Sequence, residues 1–378
     1  MKILHTSDWH LGKSLSNVPF DADQAHALQQ LADYLAGHPH DLLVVAGDIF
    51  DRPTPSPESV RVLGSWLGRL RQFAPDMAVV LISGNHDNGP RLAWTASILD
   101  HQGVYLRGET GAIDQPIEVR GSDGVQAQVW AVPFLAAGAL DEATPSQVGA
   151  MDEALRRIRD RQDATKAQVL VGHCFVQDCT TSDSERAFIG TATQIDVKAF
   201  DGFDYVALGH LHRPQAPARH VRYAGSIARY SFSEVGYSKL FLSVDVAPGR
   251  PCEVTELPLR DLRGMHRISG SLQDLLTNPK FHHLVDDYVE LTLDPPVDVG
   301  NPHDQLRTRW HNILQFHNEL APLSSALQTM PDGADGKRDL EADFVAFDRQ
   351  FTDSSEPDAG VLAAFRKLHQ ELAAKEAE

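Results

Sequence analysis

Apolar, β-branched runs of strand length recur along the chain at residues 3–6, 42–46, 78–82, 168–171 and 205–208. Bounded by glycine and acidic residues, such runs predict buried strands. Between the first three, the apolar spacing changes from strand to helix. Leu28, Leu31 and Leu35 share one face of a helix over 25–35, and Val62, Trp66 and Leu70 do so over 59–73. Strand, helix, strand, helix, strand predicts a layered α/β domain. Residues 117–120 and 125–130, split by Gly121-Ser122-Asp123-Gly124, predict a β-hairpin. Further strands are expected at Tyr223, 239–246 and 252–257. The expected fold class is α/β, with two packed mixed sheets flanked by helices, up to about residue 260.

From about Arg263 the texture changes. Runs at 265–269, 272–275, 288–293 and 306–316 predict a small β-α-β-α unit, and Pro331-Asp332-Gly333-Ala334-Asp335-Gly336 then breaks the pattern before an acidic tail. The expected division is a main domain over 1–262, a small α+β capping domain over 263–330, and a linker with C-terminal helices over 331–378. In the tail, Leu340, Phe344, Phe347 and Phe351 recur at helical spacing, and Val361, Phe365, Leu368 and Leu372 repeat it. Such stripes suit either packing on the small domain or the groove of a partner protein.

Composition narrows the classes. At 378 residues with 42% hydrophobic and 23% charged content, the chain has the make-up of a globular protein. No apolar run reaches the ~18 residues of a membrane-spanning helix, and no basic segment followed by an apolar one marks a secretory signal. The three cysteines, Cys174, Cys179 and Cys252, form no C-x-x-C pair, which argues against a disulfide framework or a thiolate zinc site and predicts a reducing cytoplasm. A net charge of −18 opposes generic nucleic-acid binding but leaves room for a local groove.

The chemistry lies where the strands end. Asp8 and His10 follow the first run, Asp48 follows Gly47 after the second, and Asn85, His86 and Asp87 follow Gly84 after the third. His173 follows Gly172, and His210 and His212 follow Gly209. Ligands of open α/β sheets bind beyond the carboxyl ends of the strands, where all five clusters fall. Asp8, His10, Asp48, Asn85, His173, His210 and His212 offer oxygen and imidazole ligands without a thiolate, a set that favours manganese over a closed structural zinc site. A pair of divalent ions sharing a carboxylate is the expected arrangement, with Asp48 on the central strand as the bridge.

These motifs, D-x-H, GD, GNHD, GH and GHLH, resemble those of the calcineurin-like metallophosphoesterases. The stretches MKILHTSDWHLG, VVAGDIFDRPTPS, SGNHDN, FDYVALGHLHRPQ and VRYAGSIARYSFSE are similar to the SbcD-type nuclease branch of that family, densely so to about residue 245. The resemblance implies the four-layer metallophosphoesterase fold and hydrolysis of DNA phosphodiester bonds with two Mn2+ ions. It implies exonuclease and endonuclease activity in DNA end processing, recombination, replication and repair. One metal would be held by Asp8, His10, Asp48 and His212, the other by Asp48, Asn85, His173 and His210. His86 would face the scissile phosphate and protonate the leaving oxygen, a role that suits an imidazole, with Asp87 orienting it. Lys13, Arg91 and Arg213 are candidates for DNA phosphate contacts.

By the same resemblance the tail would bind an SbcC-like coiled-coil ATPase; no G-x-x-x-x-G-K-[ST] occurs in this chain, so any ATP dependence would come from such a partner. It also implies a homodimer through helices near 58–72 and 91–101, acting on DNA ends in the cytoplasm at the nucleoid. Cys174, beside His173, reads as a buried structural thiol. Two alternatives compete: a small-molecule or cyclic-nucleotide phosphodiesterase on the same fold, and a binding scaffold with a decayed metal site. The long C-terminal extension argues against the first and the full ligand set against the second.

Overall fold

Strands covered on both faces read as unbroken apolar runs, and the computed structural model of the protein shows why these do. It describes residues 1–140, 146–185, 194–297, 300–319, 341, 344–345 and 359–376. The strands are β1 (Lys2–Thr6), β2 (Ser14–Leu15), β3 (Val18–Pro19), β4 (Leu42–Val45), β5 (Ala78–Ile82), β6 (Val104–Arg107), β7 (Ile117–Arg120) and β8 (Gln126–Val132). They continue with β9 (Ala167–His173), β10 (Tyr205–Gly209), β11 (Val221–Tyr223), β12 (Leu240–Asp245), β13 (Glu253–Pro258), β14 (Met265–Gly270), β15 (Tyr288–Leu293) and β16 (Asn312–His317).

A six-stranded sheet runs in the order β13-β12-β1-β4-β5-β6, and a five-stranded sheet in the order β11-β10-β9-β8-β7. Both are mixed: β1, β4, β5 and β6 are parallel while β12 joins β1 antiparallel, and β7 pairs antiparallel with β8 as the hairpin expected from sequence. In β4, Leu42 and Val44 point into the core between the sheets, where they meet Val129, Val169 and Val171. Leu43 and Val45 point the other way, against Leu28, Leu31 and Leu35 of α1 (Asp21–Gly37) and Leu63, Trp66 and Leu70 of α2 (Pro57–Phe73). Leu170 and Val206 of the second sheet likewise cover Met151, Leu155 and Ile158 of a helix over Gln147–Arg159. The result is helix, sheet, sheet, helix, as expected for the fold class.

A third, parallel sheet follows in the order β14-β15-β16. Its Met265, Tyr288 and Leu314 pack with Phe20, Tyr230 and Phe232 of the preceding region. Here the sequence expectation needs correction. The run over 306–316 is not one helix: a helix over Pro302–Arg307 ends, and β16 then pairs with β15. Leu306, Trp310 and Leu314 do recur at helical spacing, which misled the periodicity. Trp310 instead buries its ring in the connection and donates its indole N–H to the Leu275 carbonyl at 2.9 Å.

The chain divides into one compact unit of Met1–Asp294 with Asn301–His317 and another of Pro295–Gly300 with Asn318–Glu378. In the second, a helix over Ala359–Glu376 stacks Phe365 on Phe344 at 4.3 Å between ring centroids, and Arg366 pairs with Glu341. Val361 and Leu368 are exposed on this helix. Leu340, Phe347, Phe351 and the side chain of Leu372 lie outside the described residues. Among the described residues, no helix is long and apolar enough to cross a membrane.

Candidate metal centre

Each cluster of polar side chains begins where a parallel strand stops. After β1 the chain stays tied to the segment after β4: the Asp8 N–H donates to the Gly47 carbonyl at 3.0 Å, and the His10 N–H to the Asp48 carbonyl at 2.9 Å. The turns required are sharp. Asp8, His10, Asp48 and His210 adopt left-handed φ values of 51°, 46°, 49° and 102°. For residues with a side chain such conformations cost about 1–3 kcal/mol each, and they gather where function demands them. Gly84 makes room for one of these residues, since a Cβ there would lie 2.1 Å from Asp48 Oδ1.

Fixed acceptors set the tautomers of the histidines. His173 donates from Nδ1 to the Ala46 carbonyl at 2.8 Å, which leaves the lone pair on Nε2. His212 donates from Nδ1 to Glu234 Oε1 at 3.1 Å, so its Nε2 lone pair faces His10 Nε2, 3.1 Å away. The other nitrogen of His10 faces Asp51 Oδ1 at 3.5 Å. Two imidazole nitrogens in this relation repel unless a proton or cation lies between them. Asp48 Oδ2 stands 3.5 Å from His10 Nε2 and 3.6 Å from His173 Nε2, between the two histidines. Asn85 Oδ1 lies 2.9 Å from His173 Nε2 and 3.0 Å from His210 Nδ1, and His210 Nε2 is buried without a hydrogen-bond partner.

Ligand atoms of Asp8, His10 and His212, of Asp8, Asp48 and His173, and of His10, Asp48 and His86 lie within 4.8 Å of one another in each group. The donors are carboxylate, amide and imidazole, and His173 and His212 turn their Nε2 electron pairs inward. This donor chemistry fits divalent cations of the manganese, iron or zinc kind.

Burial dominates the electrostatics. It pushes the Asp8 carboxyl up to about 6, against the pull of His173 and His212. Asp48 moves the opposite way: burial acts upward, but His173, His10 and His86 together hold it below the usual carboxylate range. Burial lowers His10 and His210 to about 3.

Asp87 is tied to the backbone at two strand ends. Its carboxylate accepts from the backbone N–H groups of Ile49, Phe50 and Gly84 at 3.0, 2.9 and 2.9 Å, stapling the segments after β4 and β5 together. Burial and the nearby Asp48 raise its carboxyl to about 7. The imidazole of His86 is oriented by the Asp51 carbonyl, to which Nδ1 donates at 2.9 Å.

Asp51, Glu234, Lys239, Ser184, Glu185 and Gln24 all support the centre, and sequence reasoning passed over them. Lys13 and His10 hold the Asp51 carboxyl low against the upward push of burial, with Lys13 Nζ at 2.7 Å. Gln24 donates to the His10 carbonyl at 2.6 Å. The only local signals were Asp51 in GDIFD and Glu234 in SFSE; neither reveals which histidine it meets. Lys13 is thus committed to Asp51, whereas Arg91 and Arg213 are exposed, the latter with its guanidinium 5.4 Å from the Tyr237 ring centre. Cys174 is buried, which pushes its thiol up to about 12.

Residues 1–214 match the calcineurin-like phosphoesterase family. One of the subunits of the nuclease SbcCD from Staphylococcus epidermidis is 33% identical over 325 residues, covering 84% of this chain and 85% of that relative. A dimetal phosphatase from Danio rerio superposes with a TM-score of 0.42 at 11% identity, over 69% of this chain and 97% of that one. An anchor protein of the Plasmodium inner membrane complex does so with a TM-score of 0.36 at 11% identity, over 88% of this chain and 99% of that one.

Proposed function

Because the chain belongs to the calcineurin-like phosphoesterase family, and is therefore a metal-dependent phosphodiesterase, we propose that it is a manganese-dependent DNA nuclease subunit. The observation that carries this reading is the convergence of Asp8, His10, Asp48, Asn85, His173, His210 and His212 at the ends of parallel strands. Asp8, His10, Asp48 and His212 would hold one divalent ion, and Asp48, Asn85, His173 and His210 the other. Such a pair supplies Lewis acidity at a phosphoryl oxygen and a nucleophile near neutral pH.

The chain's own residues do the rest. Asp48 spans the two histidine groups. His86, with Nδ1 spent on the Asp51 carbonyl, has Nε2 as the atom that delivers a proton to the leaving oxygen. Exposed Arg91 and Arg213 suit contacts to flanking phosphates, and Lys13 does so only if it leaves Asp51. Like its Staphylococcus relative, whose name makes it one subunit of a nuclease, the protein would work with a partner, a coiled-coil ATPase, on DNA ends. The exposed Val361 and Leu368 suit that contact, and exposed Trp94 and Ile98 suit a homodimer. The reading includes the division at residues 262 and 330, and residence at the nucleoid.

The test is end-labelled linear DNA, single- and double-stranded, incubated with the protein and manganese beside Asp48→Ala. Manganese-dependent cleavage of both DNAs, lost in the variant, is expected. Hydrolysis of small phosphodiesters without cleavage of DNA would replace this reading with that of a small-molecule or cyclic-nucleotide phosphodiesterase.

A further inference from the structure

Behind the ring of His212 lies an ion pair that the proposed chemistry does not use. Glu234 and Lys239 are 0% and 1% exposed, and Lys239 Nζ sits 2.6 Å from Glu234 Oε2. Both lie beyond the residues that match the family. Removing two charges from water is expensive, and a well-packed apolar pair is often as stable, so cohesion alone does not account for the pair.

The contacts name that task. His212 Nδ1 donates to Glu234 Oε1 at 3.1 Å and to Ser184 Oγ at 2.9 Å, and the Ser184 hydroxyl in turn donates to Glu234 Oε1 at 2.9 Å, so the carboxylate anchors both. Lys239 Nζ donates to the His212 carbonyl at 2.9 Å and to Ser226 Oγ at 2.6 Å. The Ser226 N–H donates to the same carbonyl at 3.2 Å, and Glu185 accepts from the His212 N–H. His212 is therefore gripped at its N–H, its carbonyl and its ring. The atom turned toward the centre is Nε2, facing His10. His173, by contrast, is backed by an uncharged acceptor, the Ala46 carbonyl.

We infer that Glu234, held in place by Lys239, is the positioning residue for His212 and sets the affinity of one of the two cation positions, the one formed with Asp8 and His10. The inference rests on the metal-dependent reading above. A carboxylate behind an imidazole fixes its tautomer and raises its basicity as a ligand, and removing such a partner typically weakens metal binding. The position that depends on His173 has no such charge behind that ligand and is left as it was.

The experiment is manganese titration by calorimetry of the full chain, its Glu234→Gln variant and the double variant Glu234→Gln/Lys239→Met, with thermal unfolding in EDTA as the check on folding. The double variant removes both charges with little change of volume, so no lone charge stays buried, and it carries the test if Glu234→Gln alone does not fold. Two binding events are expected for the parent. In a folded variant one event weakens about 10–100-fold and the other is unchanged, and lost hydrolysis returns at high manganese. Two unaltered events in a folded double variant, or equal weakening of both, would overturn the inference. A parent that binds no manganese would sink the metal-dependent reading itself, and the inference with it.

Discussion

The backbone N–H of His86 donates to Oδ1 of Asp48 at 2.9 Å, while Oδ2 of the same carboxylate faces His10 and His173. One aspartate thus holds the His86 segment with one oxygen and faces two histidines with the other. The His10 and His86 rings meet edge to face with centroids 4.7 Å apart, so the two imidazoles share one site.

Replacing His86 by alanine keeps that backbone bond and removes only the imidazole. Turnover should fall about 10²–10⁴-fold, with manganese stoichiometry unchanged. Because His86 also lies in a ligand-competent group with His10 and Asp48, loss of one bound ion in calorimetry would make it a ligand instead of an acid.

Asp51→Asn leaves the main-chain carbonyl that orients His86 but removes the charge facing His10 and Lys13. Manganese affinity should drop about 10-fold or more, with activity largely recovered at saturating metal. If high metal restores nothing, the damage lies in the chemistry of His86 and not in the hold on His10.

At Gly84 a methyl group would press on Asp48 Oδ1 and on the Asp48 backbone nitrogen, which a Cβ would approach to 2.4 Å. Gly84→Ala should cost about 1–3 kcal/mol of stability and weaken both manganese events together, because Asp48 is proposed as a ligand in each. Thermal unfolding and metal titration with parental values would show that the segment relaxes without cost.

His5 gives the protein an acid limit in the core. Its Nε2 donates to the Leu208 carbonyl at 3.2 Å and its Nδ1 accepts from Tyr205 at 2.8 Å, joining the two sheets, and burial lowers its pKa to about 3. In the unfolded chain the group takes up its proton near pH 6.5, so stability is lost as pH falls from there toward 3. Between pH 7 and 5 this amounts to about 2 kcal/mol. Urea unfolding in EDTA should show His5→Gln losing less stability than the parent over that interval. Equal losses would assign the acid limit to other groups.

Local pattern was enough to locate the strands that carry the centre, because burial on both faces forces a run such as Leu42–Val45 to be wholly apolar. The polar residue after each run was equally visible, since a strand end is where the chain must turn and meet solvent or ligand. By itself the sequence therefore determined the layered α/β class and the residues that end its strands. It failed at β16, where helical spacing of Leu306, Trp310 and Leu314 hid a strand whose formation depends on pairing with β15. Tertiary structure alone decided what stands behind each ligand. Glu234 reaches His212 across 22 positions and Asp51 reaches His10 across 41, and no periodicity encodes such meetings. They arise because two sheets pack face to face and bring distant strand ends into hydrogen-bonding range, where burial shifts the pKa values of the same carboxylates and imidazoles that look ordinary along the chain.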